Sequence, residues 1–193
     1  MPGGGAEILS DRVRNQLCPN KATALQWLET MKIAHGIGLK SNASMLYGHI
    51  ETVEEKVSHL LSLRDLQDKT SGFQTFICFP FLPTNTDLEP SISRVSAWEG
   101  IKTIAISRLI LDNFKNIKAY WAMLTLPIAQ LALGFGANDI DGTVSEEKIM
   151  HAAGASSEKY LSKEKIIETI RVTGHIPVER DSLYNVIAEY LFF

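Results

Sequence analysis

The chain has 193 residues, of which 45% are hydrophobic, and its 19 basic and 22 acidic residues give a formal net charge of −3. This composition supports one ordinary hydrophobic core and excludes a disordered or collagen-like chain. No Lys/Arg-rich stretch is present, so we expect no nucleic-acid partner. No apolar stretch reaches the roughly 18 residues that a membrane-spanning helix needs, and the first residues lack the layout of a secretion signal. We therefore expect a cytoplasmic protein with no membrane partner.

Metal-binding patterns are not found among the cysteines and histidines. Cys18 and Cys78 lie far apart in the sequence and match neither a disulfide framework nor a metal-ligand spacing. The histidines form no HxxE or HExxH pattern, which zinc sites on helices use. The sequence therefore predicts no metal ligands in this chain.

The predicted secondary structure alternates between strands and helices. Capping-box patterns, in which Thr23 precedes Gln26 and Thr52 precedes Glu55, mark the starts of two helices. We predict strands that end near residue 8 or cover Lys40–Tyr47, Phe73–Phe79, Ile117–Leu124 and Asn138–Gly142. The predicted helices between them are Thr23 to about Gly36, Val53–Asp68, Glu99–Leu111 and Pro127–Phe135. Three terminal helices are predicted at Glu146–Ala153, Lys163–Thr173 and Ser182–Tyr190.

Such a run of βα units predicts an α/β fold with a parallel sheet. It is compatible with an open doubly wound sheet or with about half of an eight-stranded barrel, because a complete barrel needs roughly 250 residues. In either fold the loops that follow the strands carry the site. Those loops contain Glu7, Glu51, Pro83–Thr86, Thr125 and Asp141–Thr143.

The chain begins with a glycine-rich turn, Pro2-Gly3-Gly4-Gly5-Ala6-Glu7. Consecutive glycines let backbone N–H groups approach a ligand, and an acidic residue just after them can accept hydrogen bonds from ribose hydroxyls. Alone, this motif is more often an ordinary turn than a ligand site.

Six segments carry a more specific signal. They read PGGGAEI, NASMLYGHIET, HLLSLRDLQDKTSGFQ, LDNFKNIKAYW, LALGFGANDIDGTVSEEKI and IPVERDSLYN. Together and in this order they resemble the aminofutalosine synthase family of menaquinone biosynthesis, which belongs to the radical S-adenosylmethionine enzymes. The resemblance implies the C-terminal half of a radical S-adenosylmethionine (TIM-like) βα barrel, with barrel units in residues 1–145 and a helical C-terminal extension in residues 146–193.

The resemblance also implies a chemistry. Members of this family bind S-adenosylmethionine at a [4Fe-4S] cluster and add its 5′-deoxyadenosyl group to 3-[(1-carboxyvinyl)oxy]benzoate, with decarboxylation. The cluster ligands are three cysteines spaced CxxxCxxC, and the chain contains no such pattern. The chain is therefore expected to be inactive alone. Its expected partner is the missing N-terminal half, or another copy of the chain that pairs through open strand edges.

Site residues follow from the same resemblance, and each has a purely structural alternative. No catalytic residue is assigned. The implied cofactor-binding residues are Gly4, Gly5, Glu7, Gly48 and Glu51, and the implied substrate-binding residues are Tyr47, His49, Phe76, Asn85, Tyr120, Asp141 and Thr143. Arg108 and Arg180 are further candidates for pairing with substrate carboxylates.

Two other functions compete with the synthase interpretation. Dehypoxanthine futalosine cyclase, of the same pathway, shares the glycine-rich turn and the Gly48–Thr52 loop, whereas the string from Asp141 to Lys148 favours the synthase. A non-catalytic half-barrel that serves as an interaction module is the second alternative. Leu82 stands where the family usually has a polar residue, so a polar substrate contact at that position is not expected.

Overall fold

The computed structural model describes residues 1–84, 86, 88, 91–143 and 160–191. Within them the elements are α1 (Asp11–Leu17), α2 (Ala24–Gly36), β1 (Ser41–Tyr47), α3 (Val53–Thr70), β2 (Phe73–Pro80), α4 (Ala97–Ile110), β3 (Asn116–Ala119), α5 (Trp121–Leu124), α6 (Leu126–Ala132), a 3-10 turn (Leu133–Phe135), β4 (Asp139–Ile140), α7 (Lys163–Arg171), β5 (Val178–Arg180) and β6 (Val186–Glu189). None of the described helices is long and apolar enough to cross a membrane.

The first four strands form one parallel sheet in the order β1-β2-β3-β4. Ala43 lies opposite Phe76, and Phe76 lies opposite Ile117; Lys118 lies opposite Asp139. Each crossover contains at least one helix, as parallel pairing requires. The predicted α/β class is confirmed, and the parallel four-stranded sheet is consistent with the expected C-terminal part of a barrel.

The sheet has two different faces, because side chains alternate along each strand. We call the side that packs against the helices the helix face; its largest buried side chains include Met45, Tyr47, Phe76 and Ile117, all 0% exposed. We call the opposite side the lumen face. Its members from the strand register are Asn42, Ser44, Leu46, Thr75, Ile77, Phe79, Asn116, Lys118 and Asp139. Tyr120 and Asp141, just after β3 and β4, reach this side through contacts with Phe79 and Lys118.

Both predicted capping boxes are confirmed. The Thr23 side chain accepts a hydrogen bond from the Gln26 N–H and the Gln26 side chain accepts one from the Thr23 N–H, and Thr52 and Glu55 repeat the arrangement. These reciprocal bonds satisfy backbone donors that the first turn of a helix leaves free. They fix the starts of α2 and α3, the helices that flank β1 in the chain.

Three predicted elements differ in the structure. Residues 1–8 form a turn beside β1, where only Met1 O and Glu7 O accept hydrogen bonds from backbone N–H groups of that strand. Only the first part of Ile117–Leu124 is extended, because after Ala119 the N–H groups of Met123 and Leu124 bond back to Tyr120 O in a helical turn.

The predicted helix at Ser182–Tyr190 is wrong. Here β5 and β6 form an antiparallel hairpin. Asp181 Oδ1 accepts hydrogen bonds from the N–H groups of Leu183 and Asn185, and Tyr184 takes a left-handed φ of 67°. An aspartate that captures nearby N–H groups favours a turn over a helix. The extension is therefore α7 plus a hairpin; the predicted helix at Glu146–Ala153 and the 145/146 boundary lie outside the described residues.

Candidate functional site

The glycine-rich turn lies directly against β1. Leu46 N donates to Glu7 O at 2.7 Å, and Ser44 Oγ donates to Gly3 O at 3.1 Å. A Cβ on Gly3 would lie 1.9 Å from Asn42 O, so no other residue fits this approach. The turn is thus held alongside β1, an edge strand of the described sheet, from Asn42 to Leu46.

A buried arginine of α1 donates hydrogen bonds to the carbonyls of the turn. Arg14 on α1 is only 3% exposed, and its guanidinium donates to Gly5 O at 3.0 Å, Ala6 O at 2.5 Å and Ile8 O at 3.3 Å. It also donates to Ala22 O. The sequence analysis missed this residue; the available signal was an arginine next to Val13, a fully buried apolar position of the same helix.

The turn brings three predicted cofactor residues together. Gly4 is exposed and a Cβ on it would meet no atom within 4 Å, while Gly5 has a φ of 83°. The Glu7 side chain is 24% exposed and pairs with Lys21 at 2.5 Å. Gly4, Gly5 and Glu7 are therefore all at least partly exposed within this turn.

A second tight turn follows β1. Glu51 Oε1 accepts from the Gly48 N–H at 2.6 Å and Oε2 accepts from the His49 N–H at 2.9 Å. Burial by itself raises the pKa of Glu51, but the hydrogen bonds from the His49 side chain and the Gly48 N–H outweigh it and lower this pKa to about 2. Gly48 has a φ of 88°, and a Cβ there would lie 2.1 Å from Val95 Cγ2.

His49 lies inside this turn. Its side chain is 0% exposed, with Nε2 3.0 Å from Leu46 O and Nδ1 2.8 Å from Glu51 Oε2. Both ring nitrogens thus contact the chain itself. The structure brings Gly48, His49 and Glu51 together, with Glu51 as the brace of the turn, and the ligand roles of all three stay predictions.

The two turns are tied to each other through Glu55. This carboxylate accepts from Ser10 Oγ at 2.7 Å and from Arg12 Nε at 2.8 Å, while Arg12 also donates to Ile50 O at 2.8 Å. The hydrogen bond from Arg12 is the main cause that lowers the pKa of Glu55 to about 2. The segment after the glycine-rich turn and the loop after β1 consequently form one connected edge.

A charged cluster occupies the lumen face on β3 and β4. Lys118 Nζ lies 2.7 Å from Asp141 Oδ1 and 3.9 Å from Asp139 Oδ2. Asp139 also accepts from Arg180 at 2.7 Å and from the Tyr184 hydroxyl at 2.6 Å. Because Arg180 and Tyr184 belong to the β5–β6 hairpin, the extension contributes directly to this cluster. Arg180 is thus part of a local ion-pair network.

The predicted substrate residues do not all share one face. Tyr47 and Phe76 are buried on the helix face, whereas Tyr120 is half-buried on the lumen side, its ring 5.6 Å from that of Phe79. Asp141 belongs to the charged cluster and Thr143 is exposed. Asn85 lies outside the described residues.

Arg108 serves the fold. Its guanidinium donates to Gly136 O and Phe114 O, both at 2.8 Å, and to Asn138 Oδ1 at 2.9 Å. These bonds join the end of α4 to the loops before β3 and β4. Three of its five N–H donors are thus used within the fold.

A groove of about 910 Å³ follows β4. Residues 138–143 line its floor, Ile166, Ile167 and Ile170 of α7 line one wall, and the hairpin with Val178 lines the other. Within the described residues β4 pairs only with β3, so its second edge faces this groove.

No group of three or more His, Cys, Asp or Glu side chains that could hold a metal ion occurs among the described residues. Cys78 is buried in the core, which raises the pKa of its thiol to about 12. Cluster ligands are therefore not supplied by the part of the chain that the structure describes.

Comparison with known proteins identifies the family. Residues 70–190 match the family described as the CofH/MqnC C-terminal region. Aminodeoxyfutalosine synthase of Thermus thermophilus is 45% identical over 96% of this chain and 50% of its own length. The 5-amino-6-(D-ribitylamino)uracil–L-tyrosine 4-hydroxyphenyl transferases of Archaeoglobus fulgidus and Methanococcoides burtonii are 39% and 40% identical, over 97% and 96% of this chain and 55% and 54% of their own length.

The chain thus spans about half the length of the curated relatives that it matches. The predicted family relationship is confirmed, and the comparisons add the hydroxyphenyl transferases, which the sequence analysis did not consider. By the match over residues 70–190, the chain belongs to the CofH/MqnC family and corresponds to its C-terminal region.

Proposed function

We propose that this chain forms the C-terminal half of a radical S-adenosylmethionine transferase with aminofutalosine synthase activity. The observation that carries the proposal is the 45% identity to an aminodeoxyfutalosine synthase along almost the whole chain. The hydroxyphenyl transferases are 39–41% identical over similar spans. The synthase is therefore favoured within the family.

The residues around the glycine-rich turn fit S-adenosylmethionine. Gly4 leaves open space, and Glu7 presents a partly exposed carboxylate able to accept from two ribose hydroxyls. When bound together with a [4Fe-4S] cluster, this cofactor would supply a 5′-deoxyadenosyl radical. The role of this chain is to position the nucleoside end and to exclude water from the reacting carbon.

The lumen face is proposed to hold the substrate. Tyr120 and Phe79 offer aromatic surface for a benzoate ring, and Lys118 offers an ammonium for a carboxylate. Asp139 and Asp141 hold this ammonium on the lumen side of β3 and β4. Binding there would place the substrate on the lumen face, next to the carboxyl-terminal ends of β3 and β4.

The partner is proposed to be the half of the protein that the chain does not match in its relatives. The free edge of β4 and the groove beside it suit an extended strand, whose backbone would pair with β4 while apolar side chains contact α7 and the hairpin. Pairing there would close the barrel and protect a strand edge that otherwise invites aggregation.

The test joins residues 1–193 to the part of the Thermus thermophilus synthase that this chain does not match; we call this fusion the completed barrel. After anaerobic reconstitution with iron and sulfide, we expect aminofutalosine from S-adenosylmethionine and 3-[(1-carboxyvinyl)oxy]benzoate, detected by mass spectrometry. The Thermus segment alone is the matched control, and it should give no product.

Other outcomes assign other functions. Product formed only from 5-amino-6-(D-ribitylamino)uracil and L-tyrosine would indicate the hydroxyphenyl transferase, the second candidate, which rests on the 39–41% identity of several relatives. Turnover of dehypoxanthine futalosine would indicate the cyclase. A folded, cluster-loaded fusion that cleaves no S-adenosylmethionine would support a non-catalytic interaction module.

A further inference from the structure

The hydrogen bonds of the glycine-rich turn are one-sided. Every carbonyl from residue 3 to residue 8 accepts a hydrogen bond from the chain. The donors, in order, are Ser44 Oγ, Trp27 Nε1, Arg14, Arg14, Leu46 N and Arg14. The carbonyl side of the turn is therefore fully used in holding the turn to the rest of the fold.

The N–H side of the same turn is free. Within the described part of the chain, no backbone N–H from residue 3 to residue 8 has an acceptor, whereas the next one, Leu9 N–H, donates to His59 Nδ1 at 3.0 Å. Ala6 and Ile8 are 0% exposed. Gly3 is buried as well, and buried N–H groups in native proteins nearly always have a partner. The free N–H groups of Gly3, Ala6 and Ile8 therefore indicate an acceptor from outside these residues.

Arg14 explains why the amides are free. Its guanidinium holds the carbonyls of Gly5, Ala6 and Ile8 toward α1. Gly5 and Glu7 have left-handed φ values of 83° and 44°, whereas Gly4 before them and Ala6 between them have no left-handed φ. Backbone that alternates in this way forms a concavity in which successive N–H groups converge on an acceptor.

We propose that Arg14 is a positioning residue for nucleoside recognition: it fixes the carbonyls of the turn so that the amides of residues 3–8 face the ribose oxygens of the cofactor. This inference rests on the proposed function. A ribose hydroxyl accepts and donates at once, so it can accept from these amides while donating to Glu7. Trp27, whose indole N–H holds Gly4 O at 3.1 Å, acts in the same way at one carbonyl.

The first test measures hydrogen–deuterium exchange in the completed barrel, with S-adenosylhomocysteine as the probe. We expect the probe to slow exchange at least tenfold in the peptide that covers residues 1–9. If the probe binds by calorimetry without protecting this peptide, Arg14 positions nothing for it and the inference is wrong. Full protection before the probe is added also overturns it, because the amides would then be paired with the neighbouring strand. Absence of probe binding would instead contradict the proposed function.

The second test uses Arg14→Lys. Lysine keeps the positive charge, but its single ammonium cannot donate hydrogen bonds to three carbonyls in the way that the planar guanidinium does. We expect the Kd for S-adenosylhomocysteine to rise at least tenfold, and the KM for S-adenosylmethionine to rise more than kcat falls. Arg64→Lys is the matched control, since Arg64 lies on α3 and bonds Asp112 instead; its Kd should stay within twofold. Equal affinities of wild type and Arg14→Lys would overturn the inference.

Should Arg14→Lys fail to fold, Trp27→Phe serves in its place. This variant keeps the aromatic packing against Phe73 and removes only the bond to Gly4 O. We expect about a threefold rise in Kd with a loss of probe-induced protection at Gly4 and Gly5. Unchanged protection in Trp27→Phe would contradict the proposed role of the held carbonyls.

Discussion

The two faces of the four-stranded sheet differ in what buries them. On the helix face, Met45, Phe76 and Ile117 are fully buried against helices by apolar contact. On the lumen face, Lys118 and Asp139 are nearly as buried, yet they are held by ion pairs and by a hairpin from the end of the chain. One face is therefore built for stability, and the other keeps charged and aromatic groups at positions where a ligand can use them.

This difference matters for assigning function. Tyr47, Phe76 and Tyr120 are all strand-associated aromatic residues, and the resemblance implied the same role for each. The register places Tyr47 and Phe76 on the helix face, and the contact of Tyr120 with Phe79 places Tyr120 on the lumen side. Effects of substitution should divide in the same way, into loss of stability on one face and loss of ligand binding on the other.

The largest expected effect tests the helix face. Phe76→Ala removes a fully buried ring that contacts Phe114, and should lower the free energy of unfolding by about 3–5 kcal/mol. Phe79→Ala, on the lumen face and only half-buried, is the control and should cost clearly less in urea unfolding. Equal costs would mean that the two faces are not packed differently.

A charge deletion tests the lumen face. Lys118→Met leaves Asp139 and Asp141 facing each other without their shared cation, and should cost about 2 kcal/mol. Adding Asp141→Asn should restore part of the loss, so that a double-mutant cycle gives a coupling energy. Strict additivity of the two changes would show that the ion pair contributes nothing to the folded state.

Acid should expose a polar exception in the apolar core. Burial lowers the pKa of His59 to about 3, so the unfolded chain binds the extra proton first and stability falls as the pH drops from about 6.5 toward 3. His59 should account for a loss of about 2 kcal/mol at pH 5. Glu51, with a pKa of about 2, loses its contribution only below about pH 4.5.

The measurement is the free energy of unfolding of wild type and His59→Gln between pH 7.5 and pH 5. His35 also has a lowered pKa from burial and contributes in the same direction in both proteins. The variant should therefore show a shallower dependence on pH. Parallel curves would indicate that His59 is not held neutral by the fold.

The smallest effect concerns the attachment of the hairpin. Gln74 Nε2 donates to Ser182 O at 3.0 Å, which joins β2 to the hairpin turn. Gln74→Ala should cost about 1 kcal/mol and should increase amide exchange in residues 181–190. The neighbouring exposed residue Lys69 provides the control, because Lys69→Ala should leave exchange in the hairpin unchanged. Equal amide exchange in both variants would show that the hydrogen bond between Gln74 and Ser182 does not hold the hairpin to the lumen face.

Local patterns predicted the elements well where the chemistry is local. Capping boxes at Thr23 and Thr52 depend on residues three positions apart, and both formed as expected. The apolar run Phe73–Phe79 formed β2, because a strand of a parallel sheet that is covered on both faces buries nearly all of its side chains. The predicted helix at Ser182–Tyr190 failed because a single aspartate, Asp181, redirected the backbone into a turn.

The sequence by itself determined the family, the parallel α/β fold and the glycine-rich turn with Glu7, because each is encoded in contiguous residues. Only the tertiary structure decided which face of the sheet each aromatic residue occupies, that Arg14 holds the turn, and that the hairpin reaches Asp139. These outcomes depend on contacts between residues far apart in the chain. A pattern within one segment cannot encode the register or the crossing that brings such residues together.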